Sequence, residues 1–495
     1  MHDMDTWSAG LDPRAAAVLM PGFRGTTAPE WLLRAVGRGL AGVCLFARNC
    51  ESSEQLAELV ATLKSERPDV LVAIDEEGGS VTRLETSAGS TLPGSAVLGR
   101  LDEPDITRAA GAEVARRLRG VGVDMNLAPV ADVNVDPDNP VIGVRSFGAD
   151  PDLVARHVAA YVEGLQGSGV AACVKHFPGH GDTRVDSHLA VPTVWHDRDT
   201  LSRVDLPPFR AAVGAGVRAV MTGHLHVPAI DDEIGTLSRR TLTGVLRDEI
   251  GFTGVCVTDA LEMKAVAEGA GVGPGAVRAV NSGADLICTG LHQTPGRLAG
   301  DALAEGIDDG SVDLDWLDQA GQRVRALAAW CVDGRTSPMA AESVDFTDAV
   351  RRSAVVIDPG GRLPLAGLCT VVEVSRPVFT GVGGAGARLG EALVEAAPGG
   401  GSLSTVEVHG DQARVADALR QAEGTRLVAV VRDLPTSPMS RAVVDAVLAA
   451  RPDAVVVHTG LLDGLQLLPA DTTQVVVHSA GQIHVRVAAE LLTSS

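Results

Sequence analysis

The sequence contains no apolar run of about 18 residues, the length a membrane-spanning helix needs, so no spanning segment is expected. It has no C-x-x-C pair. Its seven cysteines are odd in number, and Cys44, Cys173, Cys256 and Cys288 sit inside apolar runs. A zinc site is therefore not expected, and the thiols read as reduced core residues. Positive charge is also scarce: 42 Lys and Arg stand against 63 Asp and Glu, for a formal charge of −21. Such a chain repels phosphate backbones and anionic bilayers, which sets aside nucleic acid and membrane surfaces as partners. The start of the chain carries Asp3 and Asp5 where a secretory signal needs basic residues, and the apolar run 15–20 is too short for a signal core. A cytoplasmic location is the resulting expectation.

What is present is a globular chain of 495 residues, 45% apolar and 21% charged. Short, continuous apolar runs occupy residues 17–23, 42–47, 70–75, 124–130, 171–177, 219–225, 254–259 and 284–289. Continuous rather than alternating runs suit strands buried on both faces of a parallel sheet. Helical segments separate them, such as 53–65, introduced by a Ser52-x-x-Gln55 capping pattern, and 107–119. Eight strands alternating with helices predict an α/β fold whose first part, residues 1–334, is a (β/α)8 TIM barrel. Residues 335–347 read as a linker. Residues 348–495 carry strand-like runs at 370–374, 405–408, 427–431, 454–458 and 474–478 with helices at 411–421 and 439–450, the pattern of a three-layer αβα sandwich domain.

The densest chemistry lies at residues 175–188, where Lys175, His176, His180, Asp182, Asp186 and His188 follow one apolar strand. Ionisable groups crowded at a strand exit are costly to desolvate and point to function. Asp186-x-His188 can fix one tautomer and raise the basicity of the ring, which makes a proton-transfer device. In a barrel the active site lies where strands end, and further polar clusters fall at such ends: Asp75-Glu76-Glu77, Asp132 with Asn134, Thr222-Gly223-His224-Leu225-His226, and Thr258-Asp259. Asp259 reads either as the cap of a helix begun by Leu261-Glu262-Met263 or as a carboxylate aimed into the pocket, and its apolar neighbours favour the pocket. Adjacent Glu76 and Glu77 point apart in extended chain, so at most one joins Asp75. His224 is placed near the pocket, and Gly179 and Gly181 supply permissive backbone geometry. Residues 381–386 fit G-x-G-x-x-G, but the glycines do not follow their strand directly, so a glycine-rich loop is preferred to a dinucleotide site.

Four blocks carry a family resemblance: Ile74-Asp75-x-Glu77-Gly78-Gly79-x-Val81-x-Arg83, residues 139–148 from Asn139-Pro140 to Phe147-Gly148, residues 175–188, and Val257-Thr258-Asp259-x-Leu261-x-Met263. In chain order they resemble glycoside hydrolase family 3, and within it the bacterial β-N-acetylglucosaminidase branch, over about residues 10–330. The resemblance implies that Asp259 is the nucleophile and that His188, paired with Asp186, is the general acid and then base. Asp75, Arg145, Lys175 and His176, with Arg83, His224 and Met263, would hold the sugar. It also implies an exo-acting retaining β-N-acetylhexosaminidase that needs neither metal nor organic cofactor. The substrate would be terminal β-linked GlcNAc of chitooligosaccharides or of muropeptides in peptidoglycan recycling. The expected partner is thus a small carbohydrate, with the protein a monomer or weak homodimer. Two other readings stay open: a phosphorylase using the same residues, because His188 would not repel phosphate as a carboxylate would, and a non-catalytic sugar-binding protein. The family often carries Gln where Glu76 stands and Arg where Ser80 stands.

Overall fold

A computed structural model describes residues 2–184, 191–290, 292–337, 343–365, 367, 369–374, 388–396, 403–408 and 412–494. They group into two compact units. The first comprises Met1–Glu76, Glu103–Asp136 and Gly148–Val344, and the second Glu77–Asp102, Pro137–Phe147 and Asp345–Ser495. Two stretches from the first 334 residues thus fold with the C-terminal part.

The first unit contains β1 (Leu19–Pro21), β2 (Gly42–Leu45), β3 (Leu71–Ile74), β4 (Met125–Asn126), β5 (Ala171–Phe177), β6 (Ala219–Thr222), β7 (Val255–Thr258) and β8 (Ile287–Thr289). Strands β2 to β7 pair in chain order, all parallel, and β8 pairs with β1. A parallel bridge from Val257 to Leu286 joins β7 to the segment entering β8. Beside β1, Ala41 N donates to Ala16 O at 2.8 Å. This is the expected eight-strand barrel. Strand β5 fills its run, 171–177, completely, and the other seven strands are shorter than the apolar runs that predicted them, because those runs extend past the ladder at one end or both. The run 124–130 shrinks most, to Met125–Asn126, since it includes Pro129, which has no N–H to donate.

Every residue of these strands is buried, as continuous apolar runs require. Alternate residues such as Leu71 and Ala73, or Val255 and Val257, share one core with Val324, Leu327, Ala328 and Cys331 of the helix Leu314–Gly334. That helix starts at Asp313, whose carboxylate accepts from Asp315 N and Trp316 N. The predicted Ser52 cap accepts from Gln55 N at 3.1 Å and opens the helix Ser53–Glu66. All seven cysteines are buried. Burial pushes the Cys173 thiol up, and that of Cys256 to about 12, so they pack as neutral apolar groups.

In the second unit the strands are β9 (Val355–Ile357), β10 (Cys369–Val374), β11 (Leu403–Val408), β12 (Arg426–Val431), β13 (Val455–His458) and β14 (Thr473–Val476), in the sheet order β11-β10-β12-β13-β14-β9. Five are mutually parallel, as predicted. The sixth, β9, pairs antiparallel with β14 and was not anticipated: it has three residues and is only half buried, so it lacks the continuous apolar run that marks the others. One face of the sheet packs Val428, Val457 and Val475 against Val485 and Leu492 of the helix Gln482–Thr493. The other packs Val372 and Ala429 against Ala418 and Val443 from the helices Gln412–Gln421 and Pro438–Ala450. The glycine-rich residues 381–386 lie outside the described residues.

Candidate active site

The polar ends of the barrel strands meet first at β5. Lys175 and His176 lie in the strand itself, and both are buried. Lys175 Nζ donates to Asp75 Oδ1 at 2.7 Å, and Asp75 follows β3 directly. The lysine side chain is 3% exposed, so its charge is held against the carboxylate rather than in water. Asp132, beyond β4, organises the next pair. Its Oδ2 stands 2.7 Å from His176 Nδ1, and its Oδ1 accepts from His180 N at 2.7 Å and from His176 N at 3.2 Å. Burial opposes ionisation of Asp132, but the charges of His176 and His180 and these hydrogen bonds outweigh it and hold the carboxyl below its ordinary value. His180 Nδ1 in turn lies 2.6 Å from Thr183 Oγ1.

Asp259 leaves β7 with its N–H donated to Thr222 O at 3.2 Å, and its Oδ1 accepts from Ala260 N at 2.8 Å. It caps no helix, for the next one, Lys264–Ala267, starts beyond Met263. Glu262 accepts from Gly290 N with its Oε1 at 2.6 Å. His224 is fully buried, with Nε2 3.0 Å from Ala260 O and Nδ1 2.8 Å from Thr236 Oγ1, so it braces the backbone next to Asp259. Met263 is also buried.

Burial dominates the raised pKa of Cys173, and the charges of Lys175, Asp75 and Asp259 act on it as lesser causes, so all three lie within electrostatic reach of this core thiol.

Around 179–184 the glycines have distinct reasons. Gly179 has φ +132°, a conformation side-chain-bearing residues avoid. Gly181 is required for space, because a Cβ there would stand 1.7 Å from Val133 O. Arg184 Nε donates to Asp136 Oδ2 at 2.7 Å. Asp186 and His188 lie outside the described residues. In the second unit, Arg145 forms a buried two-point pair with Glu77, Nε to Oε2 at 2.9 Å and Nη2 to Oε1 at 2.8 Å, and Arg83 is buried. Among the described residues no group of three His, Cys, Asp or Glu side chains is placed to hold a metal ion.

The family described as Glycosyl hydrolase family 3 N terminal domain matches residues 20–327. The chain belongs to glycosyl hydrolase family 3. This family 3 chain is 34% identical over 336 residues to a protein named Beta-hexosaminidase from Methylobacillus flagellatus, a match covering 66% of the chain and 92% of the relative. It is 36% identical over 286 residues to Beta-hexosaminidase A of Pseudoalteromonas piscicida, covering 53% of the chain but 48% of that relative, so it spans about half of the relative's length. The solved structure of a glycoside hydrolase family 3 beta-N-acetylglucosaminidase from Paenibacillus sp. str. FPU-7 is similar with a TM-score of 0.88 and 34% identity, over 97% of this chain and 96% of that one.

Two partnerships of this site do not show in the sequence. Asp132 is legible there as a polar residue at a strand end, but not that it fixes His176 and His180. Thr236, the partner of His224, sits 12 residues on and carries no motif. Partners of this kind are set by long-range geometry. The one signal in the sequence was Asp132's place just past an apolar run.

Proposed function

We propose that the protein is a retaining, exo-acting β-N-acetylglucosaminidase in which Asp259 is the nucleophile and the Asp186–His188 dyad handles the proton. The observation that carries this reading is that Asp259 follows β7 while the 2.7 Å Lys175–Asp75 ion pair joins the ends of β5 and β3 of the same barrel. Family membership and the hexosaminidase names of its relatives support the sugar class.

In this mechanism Asp259 attacks the anomeric carbon while His188 protonates the departing oxygen, and a covalent glycosyl-enzyme forms. His188, now neutral, takes a proton from water, which attacks the same carbon and restores the β configuration. An imidazole suits the role because its unperturbed pKa of about 6.5 lies near neutrality, and Asp186 would stabilise its cation. Lys175, held by Asp75, and His176, held by Asp132, would donate hydrogen bonds to sugar hydroxyls or the N-acetyl group. Arg145 and Arg83 keep their expected sugar contacts on the strength of the motif alone. The substrates would be GlcNAc-terminated chitooligosaccharides or muropeptides, the latter linking the enzyme to peptidoglycan recycling.

Product analysis with a defined β-linked GlcNAc disaccharide, in phosphate and in phosphate-free buffer, tests the reading. Free GlcNAc in both buffers supports hydrolysis. GlcNAc-1-phosphate in the first would replace it with phosphorolysis, and no turnover of any β-GlcNAc substrate would leave a sugar-binding role.

A further inference from the structure

Outside the groups assigned so far, a second histidine–carboxylate arrangement flanks the segment that carries Asp186 and His188. His196 Nδ1 stands 2.7 Å from Asp205 Oδ2, and its Nε2 stands 3.2 Å from Asp182 Oδ2. Asp182 precedes that segment and His196 follows it. Asp205 lies in the turn Leu201–Asp205, with its side chain fully buried.

Both approaches to the segment are anchored on the barrel. On the near side, Gly181 packs against Val133 O, and His180 N is held by Asp132. On the far side, Val194 N donates to His226 O and His226 N to Pro192 O, each at 2.9 Å. Asp205 itself packs on Gly179, where a Cβ would come within 2.8 Å of the Asp205 Cβ. A single imidazole therefore joins the near approach, the far approach and a buried carboxylate.

We propose that His196 is a positioning residue that ties Asp182 to Asp205 and so restrains the two chain ends that flank the proton-transfer residues Asp186 and His188. The inference rests on the proton-transfer role proposed for those two residues. With both ring nitrogens facing carboxylates, the tie is strongest when His196 is an imidazolium. The hydrogen bond to Asp205 raises its pKa against burial, and the charges of Asp205, Asp182 and Asp197 add to the rise. Burial pushes the Asp205 carboxyl up, with Asp182 and Asp132 adding to this and His196 opposing it. Among Asp205's own oxygens, Oδ1 has no hydrogen-bond partner among the described residues, which leaves His196 as the group that offsets its burial.

A mispositioned general acid and general damage to the site are separable by leaving group. Phenyl β-GlcNAc needs its departing oxygen protonated, whereas 2,4-dinitrophenyl β-GlcNAc leaves without help. The parameter to compare is kcat/KM, which reports steps through bond cleavage. His188→Ala, His196→Gln and Asp182→Ala would be measured on both substrates. Asp182 is partly exposed, so its variant tests the tie even where the His196 variant folds poorly. The expected result is a loss of about 10- to 100-fold on the phenyl substrate for His196→Gln, a smaller loss for Asp182→Ala, and changes within about threefold on the dinitrophenyl substrate. Equal losses on both substrates, or no loss in either variant, would overturn the inference while His188→Ala still shows leaving-group dependence. If His188→Ala lowers both substrates equally, the acid–base reading itself falls and takes this inference with it.

Discussion

Asp124 and Asp285 stand just before β4 and β8, whereas Asp75 and Asp259 stand just after β3 and β7. The two sets share residue type but differ in how deeply they are buried. Asp124 accepts from Lys64 at 2.8 Å, from Arg335 at 3.1 Å and from Val72 N at 3.1 Å. Asp285 takes two arginines, Arg247 and Arg323, together with Cys256 N. Each is at most 2% exposed and is held by two cations and a backbone amide. At the other end, Asp75 shares one lysine and Asp259 accepts from the amide of its neighbour, and both are only partly buried. Carboxylates surrounded on every side can only hold structure together. The less buried pair stands after the strands, at the end of a barrel where active sites are built.

The substitution that should separate the ends most sharply is Asp259→Asn. Hydrolysis of an aryl β-GlcNAc should fall by about 10⁴-fold or more while the melting temperature stays near that of the parent. Unchanged turnover would remove Asp259 from the nucleophile's role. Asp285→Ala should do the reverse. It strands two arginines near the strand starts and should cost about 3 kcal/mol of stability in a denaturant titration, with kcat in the folded fraction unaltered. Asp132→Ala belongs to both categories because it releases His176 and His180 from inside the fold. It should lower kcat/KM by about 10- to 100-fold with a stability loss of about 1–3 kcal/mol. If it altered stability alone, Asp132 would belong with the structural set.

The smallest expected effect is in pH dependence, and its sign differs between the ends. Asp132 is held below the ordinary aspartate value of 3.8, so its contribution is full above that value and is lost as pH falls through the folded one. Asp285 is pushed up, because burial outweighs its two arginines. Its folded form keeps the proton longer, and stability falls as pH rises above 3.8. Relative to Asp132→Asn, the parent should therefore gain stability from about pH 3 to about pH 6, and relative to Asp285→Asn it should lose some. Melting curves across that range check this, and slopes of the same sign would contradict it.

Much of this division is legible in the sequence itself, because chain direction shows whether an aspartate precedes or follows an apolar run. The run 254–259 ends in Asp259 and the strand ends at Thr258, whereas the run 284–289 begins beside Asp285. Continuous valine-, alanine- and cysteine-rich runs also mark all eight barrel strands, since strands buried on both faces have no polar alternation to hide them. What does not show is pairing across the sheet. Nothing near His224 in sequence indicates that it would support Ala260 O, and nothing near Glu77 points to Arg145, 68 residues away. Strand β9 was missed because a half-buried edge strand of three residues carries too little pattern. His196 escaped because its partners, 14 residues before it and nine after, meet only through the turn that contains Asp205.

The central claim is that Asp259 forms a covalent bond to the sugar during turnover. A 5-fluoro N-acetylglucosaminyl fluoride, which slows breakdown of a glycosyl-enzyme, would be incubated with the full chain, digested and analysed by mass spectrometry. The account predicts one added fluorosugar on the peptide containing Asp259, absent in Asp259→Asn. A label on a different carboxylate, or inactivation with no covalent sugar at all, would contradict it.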